Sequence, residues 1–232
     1  AMAGCGRRGV LVDFDPQGNA RTGFGIGLEG GDANRYRVLA GEGRGGGGCC
    51  KTDIGGLHVL AGGVDLTGGG IGVGGVELGE FRFRKGLEPL GLDYDYIFID
   101  CPPSLGLLTV NALCAADCVV VPLQCEFYAL EGLSQLMRTI NMVQQGLNKD
   151  LLIQGIVLTM YDSRNKLSEM VANDVRSHFG KLVYTTVIPG NVRISEAPSF
   201  GQPVLLYDAI SAGAQAYVAL AAELLSQEKE AA

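Results

Sequence analysis

The chain has 232 residues, a formal net charge of −7, and 47% apolar against 19% charged residues, the balance of a globular protein with room for one α/β core and not of a disordered one. No apolar run reaches the roughly 18 residues of a membrane span, and Arg7-Arg8 precedes only Val10-Leu11-Val12 before Asp13, which is no secretion signal. The acidic balance excludes a protein that holds nucleic acid by its overall field, so any such contact needs a local basic patch; the expected location is the cytoplasm.

In chain order, the first element is an apolar run, Val10-Leu11-Val12, that delivers Asp13-Phe14-Asp15-Pro16-Gln17-Gly18-Asn19. It reads as a buried strand. Two carboxylates two residues apart project the same way from extended backbone, and ligands of open α/β sheets bind beyond the carboxyl ends of the strands. Glycine dominates the region after it: 28 of the 36 glycines fall within residues 1–91. Glycine costs about 1 kcal/mol per interior helix site relative to alanine, so residues 24–80 are expected to form a weakly structured segment. Inside it lies Gly45-Gly46-Gly47-Gly48-Cys49-Cys50-Lys51-Thr52, which imitates the phosphate-loop pattern G-x-x-x-x-G-K-[ST]. Cys50 stands where that pattern needs glycine, no strand precedes the stretch and no helical pattern comes after it. A phosphate loop joins a strand to a helix N-terminus. The stretch is therefore read as a decoy.

From Asp95 onward the texture is ordinary α/β. Tyr96-Ile97-Phe98-Ile99 is a buried strand ending at Asp100, the Walker B pattern, in which the acid anchors a hydrated Mg²⁺. Ser104 is placed to cap a helix running through Ala115. Cys118-Val119-Val120-Val121 is the next strand, closed by Pro122. Leu130, Leu133, Leu136, Met137, Ile140 and Val143 mark an amphipathic helix over 128–147, with Tyr128, Leu130 and Leu133 assigned to the core. A strand over Ile153–Met160, a helix over 167–179 ended by Gly180, a strand over 182–188 and a helix over 212–226 complete the chain. Alternating strands and helices imply a doubly wound, mostly parallel sheet with helices on both faces. The seven cysteines form no C-x-x-C pair and only two histidines are present, so neither a disulfide framework nor a zinc site is expected.

Five blocks, LVDFDPQGNA, YDYIFIDCPPSLGLLTVNAL, PLQCEFYALEGLSQL, GIVLTMYDSR and TVIPGNVRISEAPSFGQPV, together resemble the ParA/Soj family of chromosome- and plasmid-partitioning ATPases. The resemblance covers residues 7–23 and 93–225 and implies one deviant Walker-type, P-loop NTPase-like domain over 1–232. It implies ATP and Mg²⁺ as cofactors, a nucleotide-sandwich homodimer, non-specific DNA binding, a ParB-type partner and nucleoid association, with no membrane contact. Carried over by position, Asp15 would orient the water that attacks the γ-phosphate, with Asp13 near the metal and Asp100 as the Walker B ligand. Met160, Pro189 and Asn191 lie in segments that surround the adenine, and Arg164 and Arg193 match positions of DNA contact, although isolated arginines are ordinarily solvated surface charges.

Relatives carry the loop KGGVGKTT upstream of the sequence matched by Ala1–Arg8, so the expectation is a chain that begins inside the first βα unit and neither hydrolyses ATP nor binds it tightly on its own. Gly190, where relatives often carry arginine, removes one cationic contact. Two alternatives stand beside this reading. A MinD-like membrane-associated regulator needs a basic amphipathic C-terminal helix, whereas Tyr217, Val218, Leu220, Ala221, Leu224 and Leu225 end in Gln227-Glu228-Lys229-Glu230. A nucleotide-independent remnant would keep only DNA- or partner-binding surfaces. An iron–sulfur reductase is disfavoured, since Cys101 and Cys125 lack a glycine-rich cluster-binding context.

Overall fold

In the computed structural model, residues 1–27, 49–61 and 79–231 are described. They form two compact units, one of Met2–Ala116 with Phe200–Gln202 and one of Asp117–Ser199 with Pro203–Ala232.

The first unit is built around β1 (Gly9–Asp13), flanked in parallel by β3 (Leu57–Ala61) and β4 (Tyr96–Asp100), with β2 (Cys49–Lys51) antiparallel on the far side of β3. The strand order is β2-β3-β1-β4. Side chains alternate between sheet faces. Val10, Val12 and Phe14, with Leu60, Ile97 and Ile99 from the neighbours, join one core with Phe83 and Leu87 of α2 (Gly79–Leu87) and Ala112 of α3 (Leu107–Ala115). Phe14 stacks on Phe83 with ring centroids 4.2 Å apart. Asp13 and Asp100, one position further along, belong to the opposite face.

The second unit carries β5 (Cys118–Gln124) and β6 (Leu152–Thr159) in parallel, joined through α4 (Ala129–Gly146) and followed by α5 (Lys166–Phe179). Leu133 of α4 and Val171, Ala172 and Val175 of α5 bury against Val121, Leu123, Ile156 and Leu158 of the strands. The short helices α6 (Val192–Glu196) and α7 (Val204–Tyr207) precede the long α8 (Ala212–Ala231). Tyr217, Leu220 and Leu224 of α8 pack on Val157, Tyr184 and Ile188, so this apolar stripe is spent inside the protein. Among the described residues no helix is long and apolar enough to cross a membrane.

The mostly parallel α/β architecture agrees with the sequence, and the differences have local causes. Residues 49–61 form two strands where a weakly structured segment was expected; residues 28–48 and 62–78, the rest of that tract, lie outside the described residues. α3 starts at Leu107, capped by Gly106 without a side-chain bond. Ser104 contributes its carbonyl, which accepts from Thr109 Oγ1 at 2.6 Å. Pro122 does not close β5, which runs on to Gln124; proline is tolerated in a strand where its missing N–H falls on an unpaired edge. Tyr128 is 73% exposed and not core. The expected strand over 182–188 is reduced to single bridges, Ile156 with Val183 and Tyr161 with Pro189. Its middle amides bond elsewhere: Thr185 and Thr186 donate to Glu223 of α8.

Candidate functional site

The acidic group grows from strand register. Asp13 and Asp100 end adjacent parallel strands and are paired partners, so both carboxylates leave the sheet at one place. The Phe14 N–H donates to the Asp100 carbonyl at 2.9 Å and holds the two strand ends together. Beyond Asp13 the chain turns at once: Gly18 N–H donates to the Asp15 carbonyl at 3.0 Å, and Gly18 adopts φ +66 before α1 (Asn19–Gly23). Asp15 therefore sits on a turn, not on the strand, and its Oδ1 accepts from the Gln17 N–H at 2.9 Å. Glycine is required at 18 for conformation, and the Arg21 guanidinium lies over it, with Nη2 3.1 Å from where a Cβ would stand.

Asp13 is completely buried. Its Oδ2 accepts from the Arg21 N–H at 2.9 Å, whereas Oδ1 is buried without a well-formed hydrogen bond. Burial pushes the Asp13 carboxyl up, opposed by the Arg21 N–H and charge, and the Asp15 charge adds to the rise. The Asp100 carboxyl is also raised, by desolvation first and then by the charges of Asp13 and Asp15. Three acids thus stand in one another's fields, and Oδ1 of Asp13 lacks a well-formed hydrogen bond. A hard cation satisfies all of this. Among the described residues no three His, Cys, Asp or Glu side chains converge to enclose a metal. Two carboxylates and no imidazole or thiolate fit Mg²⁺, which keeps several waters and shares phosphate ligands. Cys101 takes no part: burial, then Asp100 and Asp15, push its thiol up to about 12, so it stays protonated.

Met160, Pro189 and Asn191 are gathered in the second unit. Tyr161 N–H donates to the Ile188 carbonyl at 3.1 Å and Gly190 N–H to the Tyr161 carbonyl at 3.2 Å, which lays Pro189 beside the end of β6. Met160 has φ 52, the one positive φ outside glycine among the described residues. Such a conformation costs on the order of 1 kcal/mol or more and is found where a site over-determines it. Its side chain is about half exposed. Asn191 caps α6, its Oδ1 accepting from the Arg193 N–H at 2.8 Å, so the cap uses the acceptor end of the amide and not the donor end.

Arg164 and Arg193 are exposed, and both are already paired. Arg164 makes a two-pronged contact with Asp162, Nε to Oδ1 at 3.0 Å and Nη2 to Oδ2 at 2.9 Å, which draws the Asp162 carboxyl down to about 2. Arg193 reaches Glu196 at 2.9 Å and Asp208 at 3.3 Å. Exposed pairs of this kind contribute about 0–1 kcal/mol, so exchange for another anion costs little.

The stretch GGGGCCKT is divided by the structure. Cys49–Lys51 is an edge strand paired antiparallel with Leu57–Ala61, and the Thr52 hydroxyl closes the following turn on the Leu57 carbonyl at 2.9 Å. Lys51 and Thr52 open no helix; Gly45–Gly48 lie outside the described residues. Two residues went unnoticed in the sequence. Arg21 gives no local signal, but Glu223 does: it stands between Leu220 and Leu224 on the packed face of α8, where a carboxylate needs a partner.

A family model described as an AAA domain matches residues 1–153. The chromosome partitioning protein ParA of Caulobacter vibrioides is 56% identical over 232 residues, covering 99% of this chain and 87% of that protein. The sporulation initiation inhibitor protein Soj of Bacillus subtilis is 48% identical over 223 residues, 96% of this chain and 88% of that protein. A crystal structure of cobyrinic acid a,c-diamide synthase from Mycobacterium smegmatis with bound ADP and magnesium superposes with a TM-score of 0.82 at 35% identity, covering 100% of this chain and 87% of that one.

Proposed function

The chain belongs to the ParA/Soj family of chromosome-partitioning proteins, and on that premise we propose that it works as a partitioning ATPase in the cytoplasm. It binds ATP with Mg²⁺, dimerises around the nucleotide, holds nucleoid DNA without regard to sequence and answers to a ParB-type partner. The observation that carries this reading is the in-register pair Asp13–Asp100, with a buried Asp13 Oδ1 that lacks a well-formed hydrogen bond and with Asp15 on the adjoining turn.

In this reading Asp13 and Asp100 would hold the hydrated Mg²⁺, which would neutralise charge on the phosphate oxygens. The Arg21 N–H fixes Oδ2 of Asp13, which would leave Oδ1 for the ion's hydration shell. Asp15, with Oδ1 tied to Gln17 N–H, keeps Oδ2 to accept a hydrogen from the water that attacks the γ-phosphorus. Placing that water in line is most of the catalysis in phosphoryl transfer. Met160 and Pro189 flank the base and the Asn191 amide nitrogen donates to it. Arg164 and Arg193 contact DNA phosphates, which position without reading sequence.

GGGGCCKT does not form a strand–loop–helix phosphate cradle, since Lys51 ends an edge strand and Thr52 opens no helix. The acids are expected to take a divalent ion, and Asp15 is expected to be needed for turnover of ATP. Water-proton relaxation with Mn²⁺ tests the first half: one site is expected, lost in Asp13→Asn and in Asp100→Asn, and binding indifferent to both substitutions sinks the reading. Phosphate release from ATP is expected to vanish in Asp15→Ala, and release unchanged by that substitution overturns the second half.

A further inference from the structure

The segment 183–191 lies along β6 but does not complete a strand. Tyr184 N–H donates to the Ile156 carbonyl at 2.9 Å and Ile188 N–H to the Leu158 carbonyl at 2.8 Å. Between them the consecutive amides of Thr185 and Thr186 donate to the two oxygens of one carboxylate, Glu223 Oε1 at 2.6 Å and Oε2 at 2.8 Å. A charged acceptor makes such bonds roughly twice as strong as neutral ones. A glutamine has a single acceptor oxygen and would leave one of the amides unmatched. The same helix meets the segment again on its far side. A Cβ at Gly213 would stand 2.6 Å from Ile194 Cγ1 and 3.3 Å from Asn191 Cβ, so α8 approaches there as closely as a glycine permits. α8 thus grips the chain both before and after Pro189-Gly190-Asn191, with Tyr217 and Leu220 packed between the two grips.

We infer that Glu223 is a positioning residue for the nucleotide base: by holding Thr185 and Thr186 it sets where Pro189 and Asn191 stand against Met160, and so the affinity for adenine. This rests on the assignment of Met160, Pro189 and Asn191 to the base. Glu223 touches no ligand itself. It acts through two backbone amides three to six residues upstream of the contact, and Gly213 sustains the same geometry from the other end of the helix.

The test uses the 232-residue polypeptide with ¹³C-methyl methionine, the Met160 methyl signal assigned through Met160→Leu, and AMP as the probe. In the unsubstituted protein AMP shifts the Met160 methyl saturably. Glu223→Gln is expected to weaken AMP by about tenfold while the Mn²⁺ affinity of the Asp13–Asp100 pair stays unchanged, and Gly213→Ala is expected to weaken AMP in the same sense. A general loosening of the protein would lower both affinities together, and that result refutes a positioning role. AMP affinity unaltered in both variants refutes it also. Should Glu223→Gln not fold, Glu223→Asp, with two acceptor oxygens on a shorter stem, carries the same expectation. No response of Met160 to AMP in the unsubstituted protein fails the base assignment, and the inference with it; a response that ignores Glu223 and Gly213 fails the inference alone.

Discussion

Gly155→Ala should be among the most damaging single-methyl additions to the second unit. Gly155 lies just past the register shift in β6, and a Cβ there would meet the ring of Tyr184, with Cδ2 at 2.9 Å and the Leu182 carbonyl at 3.1 Å. Ordinary carbon contacts begin near 3.5 Å, and Cε2 of the same ring stands closer still than Cδ2, so the ring must retreat by about an ångström. It has nowhere to go: Tyr184 is 1% exposed and packed among Val157, Ile188, Tyr217, Leu220 and Leu224. Overpacking of this kind costs about 1–3 kcal/mol, and contact with both a ring and a backbone oxygen puts the substitution at the upper end. With a urea dependence of about 2–3 kcal/mol per molar, the midpoint followed by far-ultraviolet circular dichroism should fall by roughly 1 M. Tyr184→Leu alone opens a cavity and costs about 2–4 kcal/mol. In the double variant the methyl occupies part of that space, so the two effects should sum to at least about 1 kcal/mol less than additivity. A midpoint within about 0.2 M of the parent for Gly155→Ala, or strict additivity in the double variant, refutes the packing argument.

Three further outcomes arise from the charges. The folded Asp13 and Asp100 carboxyls titrate above their unfolded value of about 3.9, so their contribution to stability is full below that pH and is lost as pH rises through the folded pKa values. Asp13→Asn should flatten that decline in urea titrations across pH, and Mg²⁺ should flatten it in the parent; a decline unchanged by both disproves the assignment. Glu223 runs the other way: its carboxyl is lowered by the Thr185 and Thr186 bonds in spite of the desolvation that opposes them, so its contribution is present above about pH 4.3 and is lost in acid. For DNA, Arg164→Ala and Arg193→Ala should each weaken binding measured by fluorescence anisotropy, whereas Asp162→Asn and Asp208→Asn should strengthen it. Carboxamide variants that bind no better than the parent would show that these pairs do not compete with phosphate.

Much of the frame was legible because its elements carry their own signal. β1 and β4 are short apolar runs that end in aspartate, and their acids meet because parallel neighbours in register bring like positions side by side. α4 and α5 repeat apolar residues at the helical period and needed no tertiary help. β2 and β3 were hidden for the opposite reason. Leu57-His58-Val59-Leu60 is a brief run among glycines, and its strand identity comes from burial beside β1, which local propensity does not encode. The segment 182–188 misled through the same gap: its residues suit a strand, but Glu223, some 38 positions away from Thr185, takes the amides. Met160 and Asn191 were placed by family position alone; nothing in the letters foretold a left-handed backbone at the one or a helix cap at the other.

The pairing of Arg164 with Asp162, and of Arg193 with Glu196 and Asp208, has a thermodynamic consequence for any polyanion these side chains meet. A bare cation that lands on DNA liberates a condensed counterion, and that mixing entropy makes the association sensitive to ionic strength. Here each guanidinium must first leave a carboxylate, and salt screens that surface pair as well as the new one. A lone carboxylate condenses no ions as the polyanion does, so release from DNA still favours dilute salt, while the rival carboxylate discounts the contact most where ions are scarce.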